Sequence, residues 1–273
     1  MSMTVGELEA ALFNAFARED AESWDQPGLS VGDRSCVVSG VALNLDQSAA
    51  AVIAAEKAGC NVLVTHHPPF IKGGPTELGP ATQDETSGPG KFLYEAAARG
   101  ISCIAMHTNA DRAVCVREKF AEMLGYECIG NFEHLLDASR DMLSTGYGAL
   151  LKPPANTTLA QVAQRAKDAF EVSPRVWGRA ERPIRTIALL NGSWSEPELY
   201  DVCVKQGIDC AIVGETRYHF CTDASPALSI IDLGHDMSEL PIVEVLQNVV
   251  CAAGIAPEDV CNLGLSANNW WTL

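Results

Sequence analysis

The stretch NVLVTHHPPF, residues 61–70, places two adjacent histidines directly after a short apolar run. Residues 62–64 have the apolar, β-branched character of a buried strand, and the two prolines that follow the histidines cannot donate to a sheet, so the strand must end here. Because the chain turns at this point, the imidazoles of His66 and His67 can face the same point, whereas neighbours inside a strand face opposite sides. α/β proteins place their chemistry beyond the carboxyl ends of their strands. The pair predicts a metal site; the alternative is one core and one surface histidine.

The composition limits the class of protein. A chain of 273 residues can form one large domain or two small ones, and its 47% hydrophobic and 20% charged residues are typical of an ordinary globular protein. The formal charge of −16, from 19 basic and 35 acidic residues, opposes binding to nucleic acid or to an anionic membrane. No apolar run reaches the length of a membrane span. We therefore expect no membrane or nucleic-acid partner, and a phosphorylated substrate would need the positive charge of metal ions.

The cysteines and the first residues indicate a compartment. Ten cysteines are scattered from Cys36 to Cys261 without a CxxC pair, which is typical of buried thiols in a reducing environment. The N-terminus lacks the basic start and the continuous apolar stretch of a signal peptide. Instead, Thr4 and Glu7 predict a capping box at the start of an amphipathic helix. These features predict a cytoplasmic protein.

Strands and helices alternate along most of the chain, which predicts an α/β fold. The predicted strands cover about residues 35–45, 61–65, 101–106, 144–150, 186–190, 209–213 and 228–233. Six further helices are predicted. They begin near residue 47, cover 92–98, cover 112–124, begin at 157 or 158, begin after the capping residue Ser195, and cover 238–253. Residues 68–90 are rich in proline and glycine and predict a long loop. A divide within residues 130–140 gives an N-terminal α/β lobe of residues 1–130 and a C-terminal α/β lobe of residues 131–273.

Two further strand ends carry side chains that can bind metals. His107 and Asp111 follow the apolar run ISCIAM, and Asp111 is either a ligand or only a helix cap. His235 and Glu239 follow the run LSIIDLG and stand four residues apart, so they share a face if this turn is helical. Each segment alone allows a structural explanation, but the three strand ends together favour a metal site.

The candidate ligands are two histidines from the first site, one carboxylate from the second and a histidine–carboxylate pair from the third. They are His66, His67, Asp111, His235 and Glu239. This set supplies two to three ligands for each of two ions if one carboxylate bridges them. Mixed imidazole and carboxylate ligands suit two divalent ions of Zn, Fe, Mn, Co or Ni and disfavour Ca or Mg. Water in the open positions would make the centre catalytic rather than structural.

Six motifs resemble, in order and style, those of the Nif-three-like dinuclear metal proteins, many of which are labelled GTP cyclohydrolase I type 2 homologues. The motifs are WDQPGLSVG (24–32), ALNLD (42–46), VTHHPPF (64–70), HTNAD (107–111), GETRYH (214–219) and GHDMSE (234–239). The resemblance runs across nearly the whole chain, and its HHP and GHxxSE elements are highly specific.

The resemblance implies a fold, a ligand set and an assembly. The fold is two interlocked α/β lobes with a dinuclear metal site in the cleft between them. The same five candidate residues match the family's metal ligands, with Glu239 as the bridging carboxylate. Family members usually form toroidal hexamers, so we expect a homohexamer. Residues 130–185 look too short for the extra middle domain of some members, so the chain resembles the short form.

Other motif residues have less specific roles. Glu215 and His219 follow a predicted strand, where a general acid or base can operate, although His219 could equally be a surface helix residue. His107, Asp25 and Asp46 are either partners that orient the ligands or ordinary packing, turn and cap residues.

Two groups of side chains outside the ligand set invite a second interpretation. Arg112, Arg217 and Lys72 are near the motifs and could meet phosphate oxygens, but solvated charge is the preferred interpretation for each. The adjacent Trp270 and Trp271 would be costly to leave bare, which suggests an intersubunit contact.

The leading functional hypothesis is a dinuclear metal-dependent hydrolase. If the family label applies, water would attack the imidazole carbon of a guanine nucleotide and open the ring, with Glu215 or His219 moving protons. Phosphoester cleavage is a second hydrolytic option, which is weakened by the absence of the usual Asp-x-His and Gly-Asn-His motifs. The alternative from another class is a non-catalytic, metal-binding regulatory or scaffold protein that forms a toroidal oligomer. Both classes predict the same ligands.

Overall fold

The apolar runs of the sequence form the central strands of two β-sheets that pack against helices. The structure, a computed structural model, describes residues 2–70, 88–194 and 197–264. Within them the strands are β1 (Gly28–Val31), β2 (Val41–Asn44), β3 (Val62–Thr65), β4 (Ser102–Ala105), β5 (Glu127–Gly130), β6 (Ala149–Lys152), β7 (Arg175–Trp177), β8 (Ile187–Ser193), β9 (Cys210–Glu215), β10 (Ser229–Asp232) and β11 (Val260–Asn262). The helices are α1 (Val5–Ala15), α2 (Ala49–Lys57), α3 (Pro89–Arg99), α4 (Thr108–Asp111), α5 (Val114–Leu124), α6 (Glu133–Leu136), α7 (Leu159–Phe170), α8 (Pro197–Lys205), α9 (Tyr218–Ala224) and α10 (His235–Ala252).

The chain forms two compact units. Unit 1 comprises Met1–Ala110 and Ile242–Leu273, and unit 2 comprises Asp111–Pro241. Unit 1 is therefore built from two separate segments of the chain. The divide at residue 130 that was proposed from the sequence falls inside unit 2.

Unit 1 is organised around a five-stranded sheet of order β1-β4-β3-β2-β11. β2, β3, β4 and β11 run parallel, and β1 is antiparallel at one edge. Every residue of β2, β3 and β4 is buried, as expected for parallel strands covered on both faces. Helices α2 and α3 contribute Val52 and Phe92 to the core around Leu63.

Helix α1 begins as the sequence predicts. The Thr4 side chain accepts a hydrogen bond from the Glu7 amide at 3.2 Å, and the Glu7 carboxylate accepts one from the Thr4 amide at 2.7 Å. This reciprocal capping box satisfies two amides that the helix itself leaves without partners. Leu8 and Leu12 on α1, with Phe16 just beyond it, are fully buried.

Unit 2 has a six-stranded sheet of order β5-β6-β8-β9-β10-β7. β8, β9 and β10 are parallel, and the outer strands pair antiparallel. Because β8, β9 and β10 run in one direction, the side chains that follow them meet at one edge of the sheet. Leu190, Val213 and Ile230 belong to the core of this unit.

The predicted α/β class is confirmed, and the differences include shifted element boundaries and four strands, β1, β5, β7 and β11, that were not predicted. The predicted strand at 35–45 is reduced to β2, because the Asn61 side chain bonds the backbone of Val37 and Ser39 and holds that segment outside the sheet. The predicted helix at 238–253 begins earlier, at His235. Lys72, Ser195, Trp270, Trp271 and residues 71–87 of the predicted long loop lie outside the described residues.

Two expectations from the sequence concern the cysteine thiols and membrane-spanning helices. All ten cysteines are free thiols. Burial raises the pKa of Cys203 to about 12 and raises the pKa of Cys103 and Cys210 even further, so these thiols are inert. No helix in the described ranges combines the length and the apolar composition needed to cross a bilayer.

Glu9 is a buried charge that fastens α1 to the rest of unit 1. Its carboxylate accepts hydrogen bonds from Arg34 Nε at 2.6 Å, from Arg34 Nη2 at 3.0 Å and from the Leu29 amide at 2.9 Å. Burial by itself raises the pKa of Glu9, but these hydrogen bonds outweigh it, so the pKa lies below its ordinary value. The carboxylate therefore stabilises the fold in its ionised form.

We expect the substitution Glu9→Gln to lower the free energy of unfolding by about 1–2 kcal/mol near pH 7, since it removes a charge-assisted pair. Because the folded-state pKa is lowered, this contribution is present above the unfolded pKa of about 4.3 and disappears as the pH falls through the folded value. Urea unfolding of both proteins at neutral and at acidic pH measures the difference. Glu122→Gln, at an exposed site on α5, is the control. A difference that does not shrink on acidification would contradict the assignment.

Candidate metal centre

Three imidazoles of unit 1 lie at the carboxyl ends of two neighbouring parallel strands. His66 and His67 follow β3, and His107 follows β4, which pairs with β3 in parallel register. The ring centroids are 4.9 Å apart for His66 and His67, 5.3 Å for His66 and His107, and 5.5 Å for His67 and His107. One ligand atom from each residue lies within 4.8 Å of the others. This group could hold a metal ion.

Hydrogen bonds to Nδ1 set the tautomer of the adjacent pair. His66 Nδ1 donates to the Met106 carbonyl at 2.9 Å, and His67 Nδ1 donates to Asp46 Oδ1 at 2.8 Å. Because a carbonyl and a carboxylate only accept, each neutral ring carries its proton on Nδ1 and its lone pair on Nε2. This arrangement is typical of histidines that bind metals through Nε2. Asp46 thus has the orienting role that was one of its two predicted possibilities.

Asp25 orients the third imidazole in the same way. Its Oδ1 accepts from His107 Nδ1 at 3.0 Å, and its Oδ2 accepts from the amide and the hydroxyl of Thr108 at 3.0 Å and 2.5 Å. Burial raises the pKa of Asp25, but the hydrogen bond and the charge of His107, together with Thr108, lower it to about 2. Asp25 is therefore an ionised acceptor at neutral pH rather than an ordinary turn residue. The Trp24 ring meets His107 edge-on, with centroids 6.0 Å apart.

Unit 2 gathers the predicted carboxylate ligands around one amide. Asn191 Nδ2 on β8 lies 2.6 Å from Asp111 Oδ1 and 3.4 Å from Glu239 Oε1. His235 and Glu239 share a face in the first turns of α10, as predicted, with 3.2 Å between His235 Nε2 and Glu239 Oε2. Asp111, Asn191 and Glu239 are all buried. Unit 2 therefore offers two carboxylates and one imidazole.

The two predicted proton-transfer residues have different positions in unit 2. Glu215 ends β9, and its Oε2 lies 3.7 Å from His235 Nδ1. His219 is exposed on α9, and its ring contacts that of Tyr218 with centroids 5.4 Å apart. The geometry therefore links Glu215 to a candidate ligand, whereas the described contact of the His219 ring is with its neighbour Tyr218.

A glycine fixes the approach of β8 to the candidate ligands. Gly192 has a φ of +72°, and a Cβ at this position would lie 2.6 Å from Glu239 Oε1. The Gly192 amide also donates to Ser238 Oγ at 3.0 Å. Any larger residue at position 192 would both strain the backbone and displace the carboxylate.

Asn191 was not predicted from the sequence, and the expectation of a solvated Arg112 is wrong. The missed signal is an Asn-Gly pair directly after the apolar run IALL, at a strand end like those that carry the histidines. Arg112, expected to be a solvated charge, is instead buried. Its guanidinium donates to Glu133 at 3.0 Å and 3.1 Å and lies 4.0 Å from the centroid of the Tyr147 ring. The Arg112 guanidinium is therefore fixed by Glu133 and Tyr147 and is not a solvated charge.

Unit 1 also contains a cavity beside the imidazole group. Its volume is about 530 Å³, and its lining includes Arg18, Asp25, Leu29, Pro68 and Phe70. Asp25 is the residue that orients His107, and Pro68 directly follows His67. A cavity of this size with a mixed apolar and polar lining is typical of small-molecule sites.

Comparison with known proteins gives a consistent family assignment. A family model described as Duf34/NIF3 (NGG1p interacting factor 3) matches residues 3–257. A protein of Clostridium acetobutylicum named GTP cyclohydrolase 1 type 2 homolog is 29% identical over 228 residues, which cover 82% of this chain and 81% of that protein. The crystal structure of Staphylococcus aureus hypothetical protein SA1388 superposes with a TM-score of 0.83 at 25% identity and covers 100% of both chains.

A second solved structure extends the likeness of the fold. The Bacillus cereus protein related to NIF3 has a TM-score of 0.79 at 19% identity, covering 100% of this chain and 99% of that one. Together with the matched family model, these relatives confirm the resemblance that the six motifs indicated. The chain is a member of the DUF34/NIF3 family.

Proposed function

We propose that this chain is a metal-dependent hydrolase in which His66, His67, Asp111, His235 and Glu239 together hold two divalent transition-metal ions. The observation that carries the proposal is the shared tautomer of His66 and His67, whose Nδ1 atoms both donate to oxygen. Such a set is arranged for ligation through Nε2. The mixed donor set fits Zn, Fe, Mn, Co or Ni. Glu239 is the bridging carboxylate in this proposal, as the family resemblance implies.

The side chains around the ligands have distinct tasks in the proposed reaction. When bound, the two metal ions would polarise the group under attack and lower the pKa of a water molecule to roughly 7. Asp46 keeps the ligand His67 in the required tautomer, and Asp25 orients the neighbouring His107. Glu215, close to His235, takes up and returns the proton, and His219 is the second candidate for this step.

The proposed substrate is a small molecule that carries a guanine ring. The name of the Clostridium relative, GTP cyclohydrolase 1 type 2 homolog, supports this choice. Water would add to the carbon between the two imidazole nitrogens of the base, one carbon–nitrogen bond would break, and the released nitrogen would take a proton. The unit 1 cavity of about 530 Å³ supports a small-molecule substrate over a purely structural role. The ten free thiols support a reducing compartment, for which the cytoplasm is our proposal.

The purified protein should contain about two transition-metal ions per chain. The Glu239→Ala variant should lose more than one metal ion per chain, because the substitution removes a ligand that both ions share. Elemental analysis of the purified variants provides the measurement. Glu244→Ala, at an exposed position on the same helix, is the matched control and should keep its metal. Full metal content in a His66→Ala/His67→Ala double variant would defeat the ligand assignment.

Turnover should depend on metal and on pH. We expect the metal-loaded chain to hydrolyse a guanine nucleotide with activity that rises through roughly pH 7 and that is abolished by a chelator. A screen of nucleotides and generic phosphoesters, with Asp111→Ala run beside the wild type, tests this and separates ring opening from phosphoester cleavage. Metal-independent turnover would rule out the mechanism. Absence of turnover across the whole screen would favour the regulatory or scaffold alternative.

The family resemblance supports assembly into a closed homohexamer. Light scattering at micromolar concentration should therefore give the mass of six chains of 29.2 kDa each. If Trp270 and Trp271 contribute to a subunit contact, deletion of residues 270–273 should weaken assembly more than it weakens metal binding. A monomer would contradict the assembly, and a dimer would remove the toroid while leaving the metal assignment intact.

A further inference from the structure

Asn191 contacts two buried carboxylates of unit 2, Asp111 and Glu239, through one side-chain amide. Its Nδ2 donates to Asp111 Oδ1 at 2.6 Å and to Glu239 Oε1 at 3.4 Å, and Asn191 itself is 7% exposed. Asp111 and Glu239 are 80 and 48 positions away in the chain. The amide nitrogen carries two N–H groups, so each carboxylate can receive one of them.

The chemistry of this contact requires a neutral side chain with two N–H donors, which an amide supplies. Two carboxylates held close together in a buried place repel each other, and a neutral side chain that donates to both offsets this repulsion without adding charge. Aspartate would add a third negative charge, and serine or threonine would supply a single donor. Asparagine is therefore suited to holding the two carboxylates close together.

The backbone around Asn191 is fixed, so its amide has a defined direction. The Trp194 indole Nε1 donates to the Asn191 carbonyl at 2.6 Å. The next residue, Gly192, donates its amide to Ser238 Oγ at 3.0 Å, and that hydroxyl in turn donates to the His235 carbonyl at 2.7 Å. The end of β8 is thus bonded to the start of α10, the helix that carries His235 and Glu239.

We infer that Asn191 is a positioning residue that holds Asp111 and Glu239 in their ligating arrangement before metal binds. The inference rests on the proposed metal-binding function and adds to it a residue that is not itself a ligand. Its consequence is measurable as metal affinity. Hydrogen-bond partners of metal ligands typically change affinity by roughly 10–100-fold when they are removed.

The test compares metal-free wild type with Asn191→Ala and Asn191→Leu by zinc titration against a competing chromophoric chelator. Both variants remove the two donors, but leucine keeps the branched shape and the number of side-chain heavy atoms of asparagine. We expect both to bind zinc roughly 10–100-fold more weakly than wild type. Circular dichroism and thermal unfolding of the metal-free proteins report any loss of fold separately, and the leucine variant keeps the test valid if the alanine variant is unstable.

Asn131→Ala is the matched control. Asn131 is also a fully buried asparagine of unit 2, but its amide donates to the backbone carbonyls of Asp141 and Met142 at 2.9 Å and 2.8 Å. The Asn131→Ala substitution should lower thermal stability and leave zinc affinity unchanged. Zinc affinity that is normal in Asn191→Leu and reduced only in Asn191→Ala would show a space-filling role and overturn the inference. Equal affinity in all variants would also overturn it, whereas a wild-type chain that binds no zinc would contradict the proposed function itself.

Discussion

Parallel pairing of β3 with β4 is the interaction on which the imidazole group depends. The register joins Thr65 to Ala105, so the residues that follow the two strands lie side by side. The Met106 amide donates to the Thr65 carbonyl at 2.9 Å, and the Met106 carbonyl accepts from His66 Nδ1 at the same distance. One ladder thus sets both the position of His66 and its tautomer. An antiparallel arrangement would have sent the two strand ends to opposite edges of the sheet.

Unit 2 uses the same geometric rule with different side chains. The carboxyl ends of β8, β9 and the β10–α10 turn bring Asn191, Glu215 and His235 to one edge. The contacts among them differ in kind from those of unit 1, where oxygen acceptors orient imidazoles. Here an amide donor holds carboxylates, and a glycine allows the strand to approach them closely. In each unit the candidate metal ligands are therefore oriented by groups of the opposite hydrogen-bonding character. Acceptors orient the imidazoles of unit 1, and a donor orients the carboxylates of unit 2.

The sequence predicted the parts of the fold that are governed by continuous burial. Strands such as β3 and β4 were recognised because every residue in them is buried. The strands that were missed, β1, β5, β7 and β11, are those at the sheet edges. Each has at most one buried residue, so none of them forms a continuous apolar run. Motif residues identified the candidate ligands, but the role of Asn191 depends on contacts across 80 and 48 positions that no local pattern encodes.

The discontinuous composition of unit 1 has a consequence for the order of events on the ribosome. β11 pairs with β2 through Val260 and Val41, so the last strand of this sheet is synthesised long after the first. Until β11 has been synthesised, one edge of the fully buried strand β2 is unpaired. An unpaired edge can form backbone hydrogen bonds with a strand of another chain. Unit 2 lies between the two segments and is complete in the chain before β11 appears. In the nascent chain, every residue of unit 2 is therefore present before unit 1 has the last strand of its sheet.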